Sequence, residues 1–352
     1  MSTAPITPLS PAIYCRHCGY DLRATPPDSL RCPECGRDFD PSNPRTFRRP
    51  LRRWLRHVQR TIYVLLTLVL IPAAIWLWLF WGWYDEQKSL AQLGPNEPKS
   101  ESIAPWLKDR LGGAGFVFDR VTEVVILNGS RIHDLSPITR LKELHVFVLC
   151  NSPVADLAPL QRLTKLQELY LQTCAVRTLA PLAFIGTLKK LVVTDVDVAD
   201  LSPLAELTNL EYLRLMDTPV QDLSPLRKLA RLEYLDLAGS AVRNLRPLAE
   251  LPKLVDLDIE RTSVADVSPL ASLSHLRALS MDQTSVRSLA PLAVLSHIEI
   301  LYMRETPADD LTPLARCSAL RKLFVSAKTI GHVQVEAIQR ALPGCTVECF
   351  EP

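Results

Sequence analysis

From residue 134 onward the chain repeats one spacing of apolar and polar positions. Residues 200–221, DLSPLAELTNLEYLRLMDTPVQ, place leucine or valine at positions 2, 5, 8, 11, 14, 16 and 21 of a 22-residue unit. Units in the same phase begin at Asp134, Asp156, Thr178, Asp200, Asp222, Asn244, Asp266, Ser288 and Asp310, with no insertion between them. A half-unit at 121–133, VTEVVILNGSRIH, precedes them. Leu213 and Leu215 alternate with polar neighbours, which predicts a short strand with one buried face. Proline stands fourth in every unit, from Pro137 to Pro313. Proline suits the first turn of a helix, so each unit is expected to carry a short α- or 3₁₀-helix on the side away from the strand. The Asp or Ser before it is a candidate cap. No single unit can bury seven apolar side chains, but stacked units share one core.

A different pattern precedes the repeats. Residues 61–84, TIYVLLTLVLIPAAIWLWLFWGWY, contain no charge in 24 positions. As a helix they reach roughly 36 Å, enough to cross about 30 Å of hydrocarbon. Trp81, Trp83 and Tyr84 gather at one end and Trp54 precedes the other, as interfacial aromatics do. Seven arginines and no acid occupy residues 45–60, whereas Asp85, Glu86 and Lys88 follow the span. The excess of positive charge before the span predicts a cytoplasmic N-terminus and repeats on the outer side. The arginine block also suits anionic lipid headgroups. The net charge of the whole chain is only +2, so nothing drives the protein as a whole toward nucleic acid.

Four of the nine cysteines form two C-x2-C pairs, Cys15/Cys18 and Cys32/Cys35, in YCRHCGYDLRATPPDSLRCPECGRDFD. Two intervening residues let a tight turn aim both sulfurs at one point, and Gly19 and Gly36 permit the turn. A segment this short cannot bury an adequate core, so a structural Zn2+ held by all four thiolates is expected to supply its folding energy. Two disulfides are the alternative. A complete shell of cysteines leaves no open position for catalysis. The segment resembles the short zinc ribbons at the front of many bacterial proteins. Its CG and CPECG knuckles also resemble those of rubredoxins, which leaves iron as the lesser choice.

The repeat pattern L-x-x-L-x-L-x-x-T-x-V resembles the leucine-rich repeat, with threonine where asparagine is usual. The 22-residue period and the L-S-P-L-A-x-L-T-x-L opening resemble those of internalins. The resemblance implies an α/β solenoid: a curved parallel sheet with short convex helices, used for protein binding. With the other segments it divides the chain into a tail (1–13), the zinc ribbon (14–40), an arginine-rich juxtamembrane segment (41–60), a transmembrane helix (61–84), a linker (85–102), an N-terminal cap with the half repeat (103–133), nine repeats (134–331) and a C-terminal cap (332–352). The expected localisation is a single-pass protein of a bacterial cytoplasmic membrane.

Side chains flanking the strand leucines should face outward on the concave side. The position between the leucines reads Ile126, Val148, Tyr170, Val192, Arg214, Asp236, Asp258, Ser280, Tyr302 and Phe324. The positions on either side add Tyr212, Tyr234, Asp256, Glu260, Asp282 and Arg304. Exposed aromatics are favoured binding anchors. The acids Asp236, Asp256, Asp258, Glu260 and Asp282 suggest a protein or cell-envelope partner with a basic patch. No phosphate loop, nucleophile elbow or spaced histidine–carboxylate set occurs, so the sequence predicts a receptor or scaffold rather than an enzyme. The alternative is a membrane-tethered nucleic-acid-binding or regulatory factor acting through the ribbon. The ribbon's own charge argues against it: residues 1–44 carry four arginines against five acids.

Overall fold

The structure is a computed structural model, and it describes residues 12–26, 29–48, 53–93, 99–102, 119–129 and 131–350. The chain forms two compact units that divide between Trp78 and Leu79.

The first unit begins with the cysteine-rich segment. Strand β1 (Tyr14–Cys15) pairs antiparallel with β2 (Phe47–Arg48). Each cysteine pair sits in a turn of the same construction. The Gly19 N–H donates to the Cys15 carbonyl at 3.0 Å, and the Gly36 N–H donates to that of Cys32 at 2.8 Å. Both glycines hold positive φ, +79° and +68°, which a side chain would oppose. The small core consists of Leu22, Phe39 and Phe47 with Cys15 and Cys32. Residues 41–48, expected in the arginine-rich segment, therefore extend the ribbon. Phe47 is its last core residue, and the polar sequence around it conceals this.

Helix α1 (Arg53–Gln92) is 40 residues long and contains Pro72. Leu66, Leu68, Val69, Leu70, Ile71, Ile75 and Leu77 are exposed. By length and composition the stretch Leu66–Gln92 is able to cross a membrane.

The helix does not stop at residue 84. Its last turns, from Leu79 onward, belong to the second unit, where Leu79, Leu90 and Leu93 are buried. The carboxylate of Glu86 accepts the Val121 N–H at 3.2 Å and lies 3.6 Å from the Arg120 guanidinium. Arg120 also donates to the Leu79 carbonyl at 3.3 Å. A Cβ on Gly82 would approach the Arg120 guanidinium to 3.2 Å, so the glycine leaves room for that side chain against the helix. The expected linker at 85–102 is thus helix as far as Gln92, and strand β3 (Lys99–Ser102) follows. Leu79, Glu86, Leu90 and Leu93 share one helix face at spacings of three, four and seven. The polar residues between them hide that stripe. Of the N-terminal cap expected from residue 103, residues 103–118 fall outside the described residues.

A twelve-stranded sheet runs through the second unit. Strand β3 lies antiparallel to β4 (Asp119–Ile126). From β4 onward every neighbour is parallel: β5 (Val146–Ser152), β6 (Glu168–Cys174), β7 (Lys190–Thr194), β8 (Tyr212–Met216), β9 (Tyr234–Asp236), β10 (Asp256–Asp258), β11 (Ala278–Ser280), β12 (Ile300–Met303), β13 (Lys322–Ser326) and β14 (Thr346–Phe350). Helix α2 (His332–Ala341) precedes the last strand. The fold is a leucine-rich-repeat solenoid.

Each of the nine units carries a five-residue 3₁₀-helix with proline in its first turn, as in Ser202–Glu206. A 3₁₀-helix eclipses residues three apart. Leu204 and Leu207 therefore both point inward, and both are fully buried. The residue opening each unit closes a local turn: the Asp200 carboxylate accepts the Ser202 N–H at 2.8 Å, and all nine units repeat the bond at 2.7–3.4 Å. Threonines 218, 262 and 284 donate to the carbonyl three residues back at 2.7–2.8 Å. One residue near the end of β5 and β6, Asn151 and Thr173, and one residue after each strand from β7 to β12, among them Asp217, Gly239 and Arg261, takes a left-handed conformation. At Gly239 a side chain would strike the Asp217 carboxylate, and over that gap Arg261 reaches Asp217 at 3.3 Å.

Candidate functional site

Parallel pairing sets the outward side chains of the strands in columns. One column runs Glu168, Lys190, Tyr212, Tyr234, Asp256, Ala278, Ile300 and Lys322. The next runs Val148, Tyr170, Val192, Arg214, Asp236, Asp258, Ser280, Tyr302 and Phe324. Ile126 is not part of it. It pairs with Leu149 in the core and is 1% exposed, while Val125 stands beside Val148. The half repeat is one residue out of phase with the units that follow, which reverses the direction of every side chain on its strand.

Two aromatic stacks occupy this face. The Tyr212 and Tyr234 rings lie 4.1 Å apart and nearly parallel, with the Lys190 ammonium 4.5 Å from the centre of the Tyr212 ring. Tyr302 and Phe324 stack at 4.4 Å. Phe350, on β14, extends this second stack and lies 4.9 Å below the Arg304 guanidinium. Sequence reasoning missed Phe350. Its signal was the apolar alternation of the last strand, read only as a cap.

The acids between the stacks differ in their surroundings. Asp236 is 1% exposed, and Arg214 donates to it at 2.7 Å. Asp282 is 4% exposed and accepts both the backbone N–H and the Nε of Arg304 at 2.6 Å. These two are neutralised from within, rather than parts of a free acidic patch. Glu260 lies 3.5 Å from Arg261. Asp256 and Asp258 are half-buried, and among the described residues no cation pairs with them. Burial pushes the Asp258 carboxyl up to about 6, against the opposing pull of the Glu260 N–H, and Asp236 nearby adds to the rise. Burial, then Asp236, raises Asp256 as well. Tyr170 lies off the two stacks and donates to Glu168 at 2.7 Å.

The four ribbon cysteines form the second candidate site. Their sulfurs all lie within 4.8 Å of one another, with Cys15–Cys35 at 3.6 Å and Cys18–Cys32 at 3.4 Å. Four sulfurs about 2.3 Å from one central ion stand roughly 3.8 Å apart, whereas a disulfide needs about 2.05 Å. The arrangement is close enough to bind a metal ion. The Cys18 N–H points at the Cys15 sulfur and lowers that thiol, whereas burial and the neighbouring thiols raise Cys18 and Cys35, so the four titrate as one set and not each alone.

No family model matches the chain, and no curated protein matches it. Solved structures do. An internalin (inlF) from Listeria monocytogenes is 25% identical with a TM-score of 0.60, over 71% of this chain and 75% of that one. A leucine-rich-repeat protein from Leptospira interrogans is 19% identical with a TM-score of 0.58, over 61% of this chain and 57% of that one. The plant peptide hormone receptor RGFR1, solved in complex with RGF2, is 14% identical with a TM-score of 0.50, over 60% and 36%. The last two share the fold alone.

Proposed function

We propose that this protein is a membrane-anchored leucine-rich-repeat binding module, a receptor or scaffold, that holds a protein partner on its strand face. The observation that carries the reading is that face itself. Two aromatic stacks flank Asp256 and Asp258, half-buried acids without a cation of their own. A lysine or arginine from a partner would relieve that deficit, while Tyr212, Tyr234, Tyr302 and Phe324 supply apolar contact. The likeness to an internalin supports a leucine-rich-repeat module of this kind. Helix α1 anchors the module in the membrane, with the ribbon on the cytoplasmic side. There thiols stay reduced and Cys15, Cys18, Cys32 and Cys35 hold a structural Zn2+.

Affinity capture from crosslinked native membranes tests the reading. The bait is the full chain, compared with a variant carrying Tyr212→Ala, Tyr234→Ala and Asp258→Lys. A partner retained by the wild type is expected to drop at least about tenfold in the variant. Undiminished capture that instead disappears with residues 1–44 would move the function to the ribbon.

A further inference from the structure

The ribbon carries a groove beside its first knuckle that the reading above does not use. Arg16, His17, Arg37 and Arg48 line it, with Asp38 the one acid among the lining residues. Asp38 is taken: Arg31 donates to it at 2.7 Å. Arg16 is fixed at the rim by a 2.9 Å bond to the Arg45 carbonyl. Arg37 and Arg48 have no carboxylate at ion-pair distance among the described residues. Three guanidinium groups and the His17 ring therefore face one small space beside Cys15 with no carboxylate among the described residues left to pair with Arg37 or Arg48, and they come from three separate segments. The fold gathers them: β2 pairs with β1, which sets Arg48 opposite Tyr14, and the knuckle turns present Arg16 and Arg37.

We infer that this groove takes the phosphate of an anionic lipid headgroup. The inference rests on the membrane reading of helix α1. Chain connectivity favours lipid over other phosphates. Arg48 lines the groove and is also where the chain leaves the ribbon, with helix α1 beginning at Arg53. Five residue steps reach at most about 18 Å. The apolar run starting at residue 61 lies about 12 Å further along a helix. The groove is thus confined to within about 30 Å of the place where the chain enters hydrocarbon. Anionic headgroups would be the most concentrated phosphates in that zone, and they attract juxtamembrane arginines. Guanidinium groups suit phosphate oxygens by bidentate bonding. The competing role for these cations is to offset the charge of a four-thiolate metal site.

The test uses the full zinc-loaded chain in lipid nanodiscs. The lipid is pure phosphatidylcholine or phosphatidylcholine with about 30% phosphatidylglycerol. Hydrogen exchange is read over residues 14–48, with zinc content measured in parallel. With phosphatidylglycerol at about 50 mM salt, exchange is expected to slow at least about threefold, and the protection to vanish near 500 mM. The variant Arg16→Ala/Arg37→Ala/Arg48→Ala is expected to lose the protection and keep its zinc. If it loses zinc, the cations serve the metal site and the inference fails, unless Arg48→Glu alone, outside the knuckles, removes protection with zinc retained. Equal exchange in both lipids overturns the inference, as does protection that survives in the triple variant. So does protection in pure phosphatidylcholine by inorganic phosphate or by a short RNA. A chain that inserts into neither disc would sink the membrane reading, a result distinct from all of these.

Discussion

The ribbon closes its own core over five residues, two of them cysteines, whereas each solenoid unit adds seven apolar side chains to a core shared along eleven consecutive parallel strands. Both are built by repetition. The ribbon uses one knuckle twice and the solenoid one unit nine times. In the ribbon repetition brings four polarisable ligands to a point, where the bond energy of a metal would replace burial. In the solenoid it extends a line, and every added unit covers the apolar face of the last. A ribbon held by one ion would fail all at once when that ion leaves. The solenoid should fail locally, most easily at the ends.

The sharpest way to break this comparison is to remove the metal. Chelation is expected to abolish amide protection throughout residues 14–48, since structural zinc supplies on the order of 10 kcal/mol. The solenoid should keep its thermal transition. Parallel loss of both, followed by hydrogen exchange, would show that the two units do not hold together independently.

Next in size is a cavity in the shared core. Leu213 is fully buried on β8. Leu213→Ala is expected to cost about 2–5 kcal/mol in denaturant unfolding. The damage should appear as faster exchange in the units on both sides, with the ends of the array little changed.

The smallest effect is a difference in pH response. Asp134, Asp200, Asp222, Asp266 and Asp310 accept hydrogen bonds within their turns, first from the hydroxyl and then from the backbone N–H two residues on, and their carboxyls sit below the usual range. A depressed folded-state value means stability that is present above about pH 4 and lost as pH falls further. Asp258 works the other way. Its carboxyl, raised to about 6, makes the fold gain stability as pH drops from 7 toward 5. The melting temperature should therefore peak between about pH 4 and 6, and Asp258→Asn should flatten the rise on its upper side. A profile that only rises with pH would contradict the assignment of Asp258, and one that only falls would contradict that of the turn aspartates.

Much of the molecule was legible in its sequence because its signals are periodic. Spacing identified the repeat, the strand leucines, the prolines opening each 3₁₀-helix and the two cysteine pairs. What escaped was aperiodic. The helix continuing to Gln92 was hidden by polar residues around a sparse stripe of leucines. Phe47 lay in an arginine-rich stretch with no pattern of its own. Ile126 was assigned outward because the period was extended one unit too far, and only the pairing with Leu149 revealed the slip.

The sequence by itself determined the repeat and its apolar ladder, the apolar helix and the metal-ready cysteine pairs, because in each the residue types recur at a spacing that admits one local geometry. Tertiary structure decided which polar residues on the strand face are free. Asp236, Asp256, Asp258 and Asp282 look alike in the repeat pattern. Arg214 and Arg304 reach across from neighbouring units to bury and neutralise two of them, while the other two remain half-buried with no cation beside them among the described residues. Charge compensation depends on side chains 22 residues apart that meet only when the units stack. Local spacing cannot report it.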